Sequence, residues 1–202
     1  MTIDGSVSAE RRRREPTGGS AAQLSTFVGR KHELDELEGL LGESRLVTLT
    51  GPGGSGKTRL ALELATRLAQ RYRDGFAFVD LAAITDPELV VGAIAASLGV
   101  RAIPRQPLID TLAEELDQRE LLLVLDNLEQ LPQAPAVSTL LARCPGLSIV
   151  STSRVPLHLR GEQQFPVDPM ALPRPRPSRI YYPSDNGAQP ALCVQHAREQ
   201  TR

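Results

Sequence analysis

The chain has 202 residues, which is enough to bury one good hydrophobic core with at most a small appendage. Its 23 Lys and Arg residues almost cancel its 24 Asp and Glu residues, so no global electrostatic field draws it to nucleic acid or to a membrane surface. No apolar run approaches the roughly 20 residues that span a bilayer. We therefore expect no membrane contact and no direct nucleic-acid binding from this chain.

The N-terminal segment, residues 1–20, is rich in Gly, Ser and polar residues and shows no hydrophobic period. It contains four consecutive arginines, Arg11–Arg14, and we expect a disordered basic tail. A nucleic-acid-binding arm is the alternative, although no aromatic residues interleave the arginines. The segment also lacks the apolar core of a secretory signal, and Cys144 and Cys193 lie far apart without metal-type spacing. These features favour a reducing, cytoplasmic location.

The middle of the chain alternates between apolar, β-branched runs and segments with helical periodicity. This alternation predicts a three-layer α/β fold, in which helices cover both faces of a mostly parallel sheet and ligands bind at the carboxyl ends of its strands. A weaker fifth strand near Phe165 and Val167 is expected at an edge because prolines lie beside it. The other predicted strands are Leu46–Thr50, Phe76–Leu81, Leu121–Leu125 and Leu147–Thr152. The predicted helices are Lys31–Leu41, Lys57–Arg71, Asp86–Leu98 with Asp86 as its N-cap, Pro107–Leu116 and Pro135–Arg143.

A glycine-rich loop, within "TLTGPGGSGKTRLALELA" at residues 48–65, follows the first predicted strand and precedes a predicted helix. Gly51, Gly56, Lys57 and Thr58 satisfy the pattern G-x-x-x-x-G-K-[ST] of a P-loop. Glycines let backbone N–H groups surround phosphates, a lysine reaches the β and γ phosphates, and the threonine hydroxyl ligates Mg²⁺. The alternative is a glycine-rich turn that merely starts a helix. The predicted ATP- or ADP-binding residues here are Gly51, Pro52, Gly53, Gly54, Ser55, Gly56, Lys57, Thr58 and Arg59.

A second motif, "ELLLVLDNLEQ" at residues 120–130, places Asp126 at the carboxyl end of a buried strand. There it is predicted to hold Mg²⁺ as a Walker B aspartate does, unless it is a strand-end carboxylate without that role. Asn127 follows, and an amide orients water but does not accept a proton at neutral pH. Glu129 is the nearest carboxylate. It either serves as the catalytic base or only caps and solvates the turn.

A third motif, "LSIVSTSRVPLHLRGE" at residues 147–162, ends a strand in Ser151, Thr152, Ser153 and Arg154. An arginine at a strand tip beside the γ-phosphate would sense that phosphate, because its guanidinium loses a bidentate partner when the phosphate leaves. The alternative is an ordinary surface arginine.

These motifs, preceded by "FVGRKHELDELEGLL" at residues 27–41, resemble in order the NB-ARC-like nucleotide-binding domain of bacterial signal-transduction ATPases with numerous domains. Those regulators, LuxR-like and AfsR-like among them, often carry DNA-binding domains and sensor repeats. The resemblance covers about residues 24–173 and implies a P-loop sheet in the order 5-1-4-3-2. It also implies that Phe27, Val28, Gly29 and Arg30 lie near the adenine, although "FVGR" alone would pass as a turn before a helix.

The resemblance implies a switch more than a turnover enzyme, because members of the family close a helical lid over ADP and open on exchange for ATP. The domain division expected from it is a nucleotide-binding domain at 21–173, followed by a proline-rich linker and an incomplete lid at 174–202. "PALCVQHAREQ" resembles the start of the first lid helix, and the chain stops at Arg202. No metal or catalytic role is expected for His32, His158 or His196.

Three functions therefore compete at the level of the sequence. The first is an ATP- or ADP-binding regulatory switch with slow or absent hydrolysis, whose partners are other domains or chains of a regulator. The second is a productive Mg²⁺-dependent ATPase that works on a protein or DNA partner. The third is a truncated gene product that binds nucleotide poorly.

Overall fold

The computed structural model of the chain describes residues 29–130 and 135–169. The predicted tail, the predicted adenine contacts Phe27 and Val28, and the predicted linker and lid lie outside the described residues. The strands are β1 Leu46–Thr50, β2 Phe76–Asp80, β3 Leu121–Asp126, β4 Leu147–Ser153 and β5 Glu162–Pro166. The helices are α1 Lys31–Glu43, α2 Lys57–Leu68, α3 Leu89–Leu98, α4 Leu108–Asp117 and α5 Pro135–Arg143, with a 3₁₀ turn at Leu128–Gln130.

The described strands form one sheet in the order β2-β3-β4-β1-β5, and each neighbouring pair is parallel. Read from the other edge, this is the predicted order 5-1-4-3-2, so the predicted fold class is confirmed. β4 separates β1 from β3, which places the carboxyl ends of these three strands side by side. A site built from the residues that follow them is therefore contiguous in space.

Helices cover both faces of the sheet because its central strands are apolar on both faces. Leu122 and Val124 of β3 pack in the core that contains α1 and α2. Leu121, Leu123 and Leu125 of the same strand pack in the core that contains α3, α4 and α5. This alternation along one strand produces the three layers.

Helix α2 is anchored deeply in the first of these cores. Leu60 and Leu64 are fully buried and Leu68 is 1% exposed. Complete burial of such a side chain contributes roughly 1.5–3 kcal/mol. The N-terminal residues of α2, Lys57 and Thr58, are therefore presented to the end of the sheet by a rigid support.

Two predicted helix boundaries were wrong by about three residues, and the helix predicted to end at Leu41 ends at Glu43. The helix predicted from Asp86 begins at Leu89, because Asp86 and Pro87 form a tight turn. In that turn Asp86 Oδ1 accepts a hydrogen bond from the backbone N–H of Glu88 at 2.9 Å, and its carbonyl accepts one from Leu89 at 3.0 Å. The helix predicted to reach Arg71 ends at Leu68, where i→i+3 hydrogen bonds replace the α-helical pattern.

β5 lies at the edge of the sheet beside β1, as the prolines predicted, with Phe165 buried against the first core. Among the described residues, no helix has both the length and the apolar character that crossing a bilayer requires.

Candidate nucleotide-binding site

The glycine-rich loop joins β1 to α2 at the carboxyl end of the sheet. At its first position only glycine fits, because Gly51 has φ 146° and a Cβ there would lie 2.5 Å from the carbonyl oxygen of Val167. The backbone N–H of Val167 donates to the carbonyl of Thr50 at 2.7 Å. Gly54 and Gly56 also have positive φ, at 76° and 88°. The loop thus has the backbone conformation that a phosphate cradle requires.

Lys57 lies across this loop. Its Nζ donates hydrogen bonds to the carbonyl oxygens of Gly51 at 2.8 Å and Pro52 at 2.9 Å. The ammonium group is therefore fixed at the mouth of the loop, next to the N-terminus of α2. Both features supply positive charge to an anion bound there.

Asp126 is 4% exposed and accepts two hydrogen bonds on one carboxylate oxygen. Oδ1 accepts from Thr58 Oγ1 at 2.8 Å and from Thr152 Oγ1 at 2.5 Å. Because the Thr58 hydroxyl donates a hydrogen bond to Asp126, its oxygen lone pairs stay available to a cation. A hard oxygen donor beside a carboxylate fits Mg²⁺, which keeps several of its waters and takes further oxygens from nucleotide phosphates.

Thr152 was given no role by the sequence analysis. It is 2% exposed, and its Oγ1 also accepts a hydrogen bond from the backbone N–H of Asn127 at 3.0 Å. The signal that could have identified it is a hydroxyl residue at the end of β4, the strand that the predicted order places beside Asp126.

Asn127 connects the carboxylates at this edge of the sheet. It has φ 61°, a conformation that Asn adopts more readily than most residues. Its Nδ2 donates to Asp126 Oδ2 at 3.0 Å and lies 3.4 Å from Asp80 Oδ1. Asp80 ends β2 directly opposite Asp126 in the register. Sequence reasoning missed Asp80, although the predicted sheet order puts these two strand ends side by side.

The structure brings together the two remaining candidates, Glu129 and Arg154. Arg154 Nε lies 3.0 Å from Glu129 Oε1 in an ion pair. The side chain of Glu129 is 16% exposed and that of Arg154 is 68% exposed. The second carboxylate oxygen, Glu129 Oε2, is buried and has no hydrogen-bond partner among residues 29–130 and 135–169. The candidate base and the candidate γ-phosphate sensor are thus each other's partner.

Some of these residues line one cleft of about 420 Å³. That volume lies in the range of small-molecule sites. The residues that line the cleft are Gly53, Gly54, Gly56, Lys57, Thr58, Arg59, Asn127, Glu129 and Arg154.

Arg30 connects the glycine-rich loop to the segment that follows β5. Its Nη2 donates to the carbonyl of Ser55 at 2.9 Å and to the carbonyl of Asp168 at 2.7 Å. The preceding residue, Gly29, has φ 91° and Arg30 itself has φ 88°, so the chain turns sharply just before α1. Of the four residues predicted to lie near the adenine, these two are described, and Arg30 contacts the phosphate loop.

The fold and the site together define a class. A parallel sheet in this order, with a G-x-x-x-x-G-K-[ST] loop between β1 and α2 and an aspartate at the end of β3, is that of a P-loop NTPase. A protein family described as "AAA domain" matches residues 41–166. The chain belongs to this family.

Curated relatives are similar to this chain over two thirds or more of its length. An uncharacterized protein of Mycobacterium tuberculosis is 42% identical over 151 residues, which are 74% of this chain and 38% of that protein. Another M. tuberculosis protein, provisionally named an HTH-type transcriptional regulator, is 43% identical over 138 residues, which are 67% of this chain and 15% of that protein. The chain therefore spans well under half the length of either relative.

A solved structure, that of the Drosophila ORC bound to DNA, matches 70% of this chain and 43% of its own chain. The TM-score is 0.56 and the sequence identity is 17%. At this sequence identity, the similarity shows that the two proteins share a fold and shows nothing further.

Proposed function

We propose that the chain binds ATP or ADP with Mg²⁺ and acts as the nucleotide-switch module of a transcriptional regulator, with slow or absent hydrolysis. The observation that carries the proposal is that Lys57 and Thr58 line one cleft beside the glycine-rich loop, with Asp126 hydrogen-bonded to Thr58 behind it. Lys57 supplies charge to the β and γ phosphates. Thr58 ligates the cation directly, and Asp126 holds its water shell.

Slow hydrolysis is supported by the groups that surround the expected position of the attacking water. Asn127 carries an amide, which orients water without taking its proton. The carboxylate of Glu129 is paired with Arg154 Nε at 3.0 Å, so one of its two oxygens is already engaged and is not directed at a water. A site of this kind binds a triphosphate well and cleaves it slowly.

The regulatory role is supported by the relative named as a regulator and by the motif order of the NB-ARC-like ATPases. In this proposal Val28, Gly29 and Arg30 contribute to the adenine pocket, a nucleotide-binding domain spans 21–173, and residues 174–202 lead into a lid. Other domains or chains of a regulator are the partners. The module acts in the cytoplasm, where ATP, ADP and Mg²⁺ are available.

A productive ATPase acting on a protein or DNA partner is the second candidate. It is favoured by one observation, the buried Oε2 of Glu129, which has no hydrogen-bond partner in the described part of the chain. This oxygen is an acceptor that is still open, and a base must have such an acceptor within hydrogen-bond reach of the attacking water.

Equilibrium dialysis with radiolabelled ATP and ADP tests the proposal on the full chain. Lys57→Ala should weaken binding of both nucleotides at least tenfold, or about 1.4 kcal/mol, because the phosphates lose their cation. Lys31→Ala is the matched control, since Lys31 is an exposed lysine at the start of α1. Asp126→Ala should mainly remove the enhancement of binding by Mg²⁺.

Phosphate release by the wild type separates the candidate functions. Tight binding with little release supports the switch, whereas steady release that Glu129→Gln abolishes supports the ATPase. Equal affinity in wild type and Lys57→Ala would refute the site, and so would weak binding of both nucleotides by the wild type.

A further inference from the structure

The Glu129–Arg154 ion pair has an asymmetry that assigns a role to each member. Glu129 belongs to the 3₁₀ turn that follows β3, and its neighbour Leu128 is fully buried in the core. Arg154 follows β4, and 68% of its side chain is exposed. A long, exposed arginine has many rotamers, whereas a carboxylate on a buried turn has few. The carboxylate of Glu129 therefore has the better-defined position, and it orients the guanidinium of Arg154.

The guanidinium presents two different edges to its surroundings. Its Nε edge faces Glu129 Oε1 at 3.0 Å. Its Nη2 lies 3.9 Å from the point where a Cβ on Gly53 would stand, so the far end of the guanidinium faces the phosphate loop. Arginine has N–H donors in a rigid planar fork that matches phosphate oxygens in pairs. One planar group can thus bond to the carboxylate and to a terminal phosphate at the same time.

We infer that Glu129 is the positioning residue for Arg154, and that the pair acts as one unit which discriminates a nucleoside triphosphate from a diphosphate. The inference rests on the proposed nucleotide site and extends it. Glu129 holds the Nε edge, which orders the guanidinium before the ligand arrives and leaves the Nη edge for the γ-phosphate. Arg154 in turn lies between the carboxylate and the phosphates and neutralises a charge that would repel them.

The electrostatics of the pair predict a non-additive response to mutation. Arg154→Ala removes the sensor and also leaves the Glu129 carboxylate facing the cleft without its counter-ion. Glu129→Ala removes only the anchor. The double variant should therefore bind a triphosphate better than Arg154→Ala does, because the repelling charge is gone.

The test compares the affinities of the full chain for Mg²⁺–ATPγS and Mg²⁺–ADP. Arg154→Ala and Glu129→Ala should each lower the ratio of the two affinities about tenfold, whereas the affinity for ADP should change less than twofold after Glu129→Ala. Glu129→Gln should retain most of the ratio, since its amide oxygen still accepts a hydrogen bond from Nε. Arg160→Ala, which changes an exposed arginine of the same connection, is the matched control and should leave the ratio unchanged.

A catalytic base would give a different pattern, in which Glu129→Gln and Glu129→Ala lower turnover equally and neither changes the ratio. That result, or an additive double variant, would overturn the inference while leaving nucleotide binding intact. If Lys57→Ala bound nucleotide as the wild type does, the proposed site would fail and the inference with it. Urea midpoints close to that of the wild type would show that the variants are folded.

Discussion

Replacing Thr152 with valine tests the polar network that holds Asp126. The substitution keeps the β-branched shape of a side chain that is 2% exposed and removes only its hydroxyl. Two contacts disappear, the 2.5 Å hydrogen bond to Asp126 Oδ1 and the 3.0 Å hydrogen bond from the N–H of Asn127. Asp126 keeps its bonds to Thr58 and to the Asn127 amide, so the carboxylate is weakened but not isolated.

The magnitude follows from these two contacts. A hydrogen bond to a charged group contributes about 1.5–3 kcal/mol, and a buried N–H left without a partner costs about 1–3 kcal/mol. We expect Thr152→Val to lower the free energy of unfolding by roughly 3–5 kcal/mol, which lies within the sum of the two contributions. With a urea m-value of about 2 kcal/mol/M, the unfolding midpoint should fall by roughly 1.5–2.5 M.

Urea unfolding followed by circular dichroism measures this shift, with Thr48→Val as the matched control. Thr48 is also fully buried in the sheet, but its hydroxyl pairs with the neutral hydroxyl of Ser151 at 2.9 Å. The control takes a partner from the buried hydroxyl of Ser151 and should lose about 1–3 kcal/mol. Thr152→Ser should stay near the wild type because the hydroxyl remains. If Thr152→Val lost no more stability than the control, the proposed bond to the charged carboxylate would be refuted.

Two further predictions concern regions away from the cleft. Gly146→Ala should destabilise the fold strongly, because a Cβ there would lie 2.3 Å from the carbonyl oxygen of Arg119. Gly39→Ala is the control and should stabilise the fold slightly, because a Cβ in this exposed part of α1 meets nothing within 4 Å. If the urea midpoints of the two variants moved in the same direction, the steric argument would be contradicted. Burial raises the pKa of the Cys144 thiol, so in a Cys193→Ser background Cys144 should react with a thiol reagent far more slowly in the folded chain than in urea. Equal labelling rates in the folded chain and in urea would contradict the burial of Cys144. Because the pKa of the folded thiol is raised, its contribution to stability is complete below the ordinary pKa of a thiol and is lost as pH rises through the raised pKa.

The sequence predicted the features that depend on local pattern and on motif order. The apolar runs gave the strands to within about two residues, and the prolines near Phe165 indicated an edge. The sheet order followed from the family resemblance, because pairing between strands that are far apart in the chain is not contained in any local pattern. The start of α3 was predicted too early because Asp86 is an equally good residue for a tight turn, and the turn formed instead.

The sequence predicted the site residues that belong to one contiguous motif of known geometry. It did not predict contacts between residues on two different loops. Lys57 and Thr58 belong to such a motif. The contact between Glu129 and Arg154 joins residues 25 positions apart on the turns after two different strands, so no sequence pattern encodes the distance between them. The bond from Arg30 to Asp168 joins residues 138 positions apart. Its acceptor is a backbone carbonyl, which every residue has, so the amino-acid type at position 168 does not indicate the contact.

That bond from Arg30 gives the fold a mechanical property. The same guanidinium group grips the phosphate loop at Ser55 and the chain at Asp168, where it leaves β5. The first glycine of the loop also rests against the carbonyl of Val167. A displacement of the chain at Asp168 would therefore be transmitted to the backbone of the phosphate loop at Ser55 through one side chain.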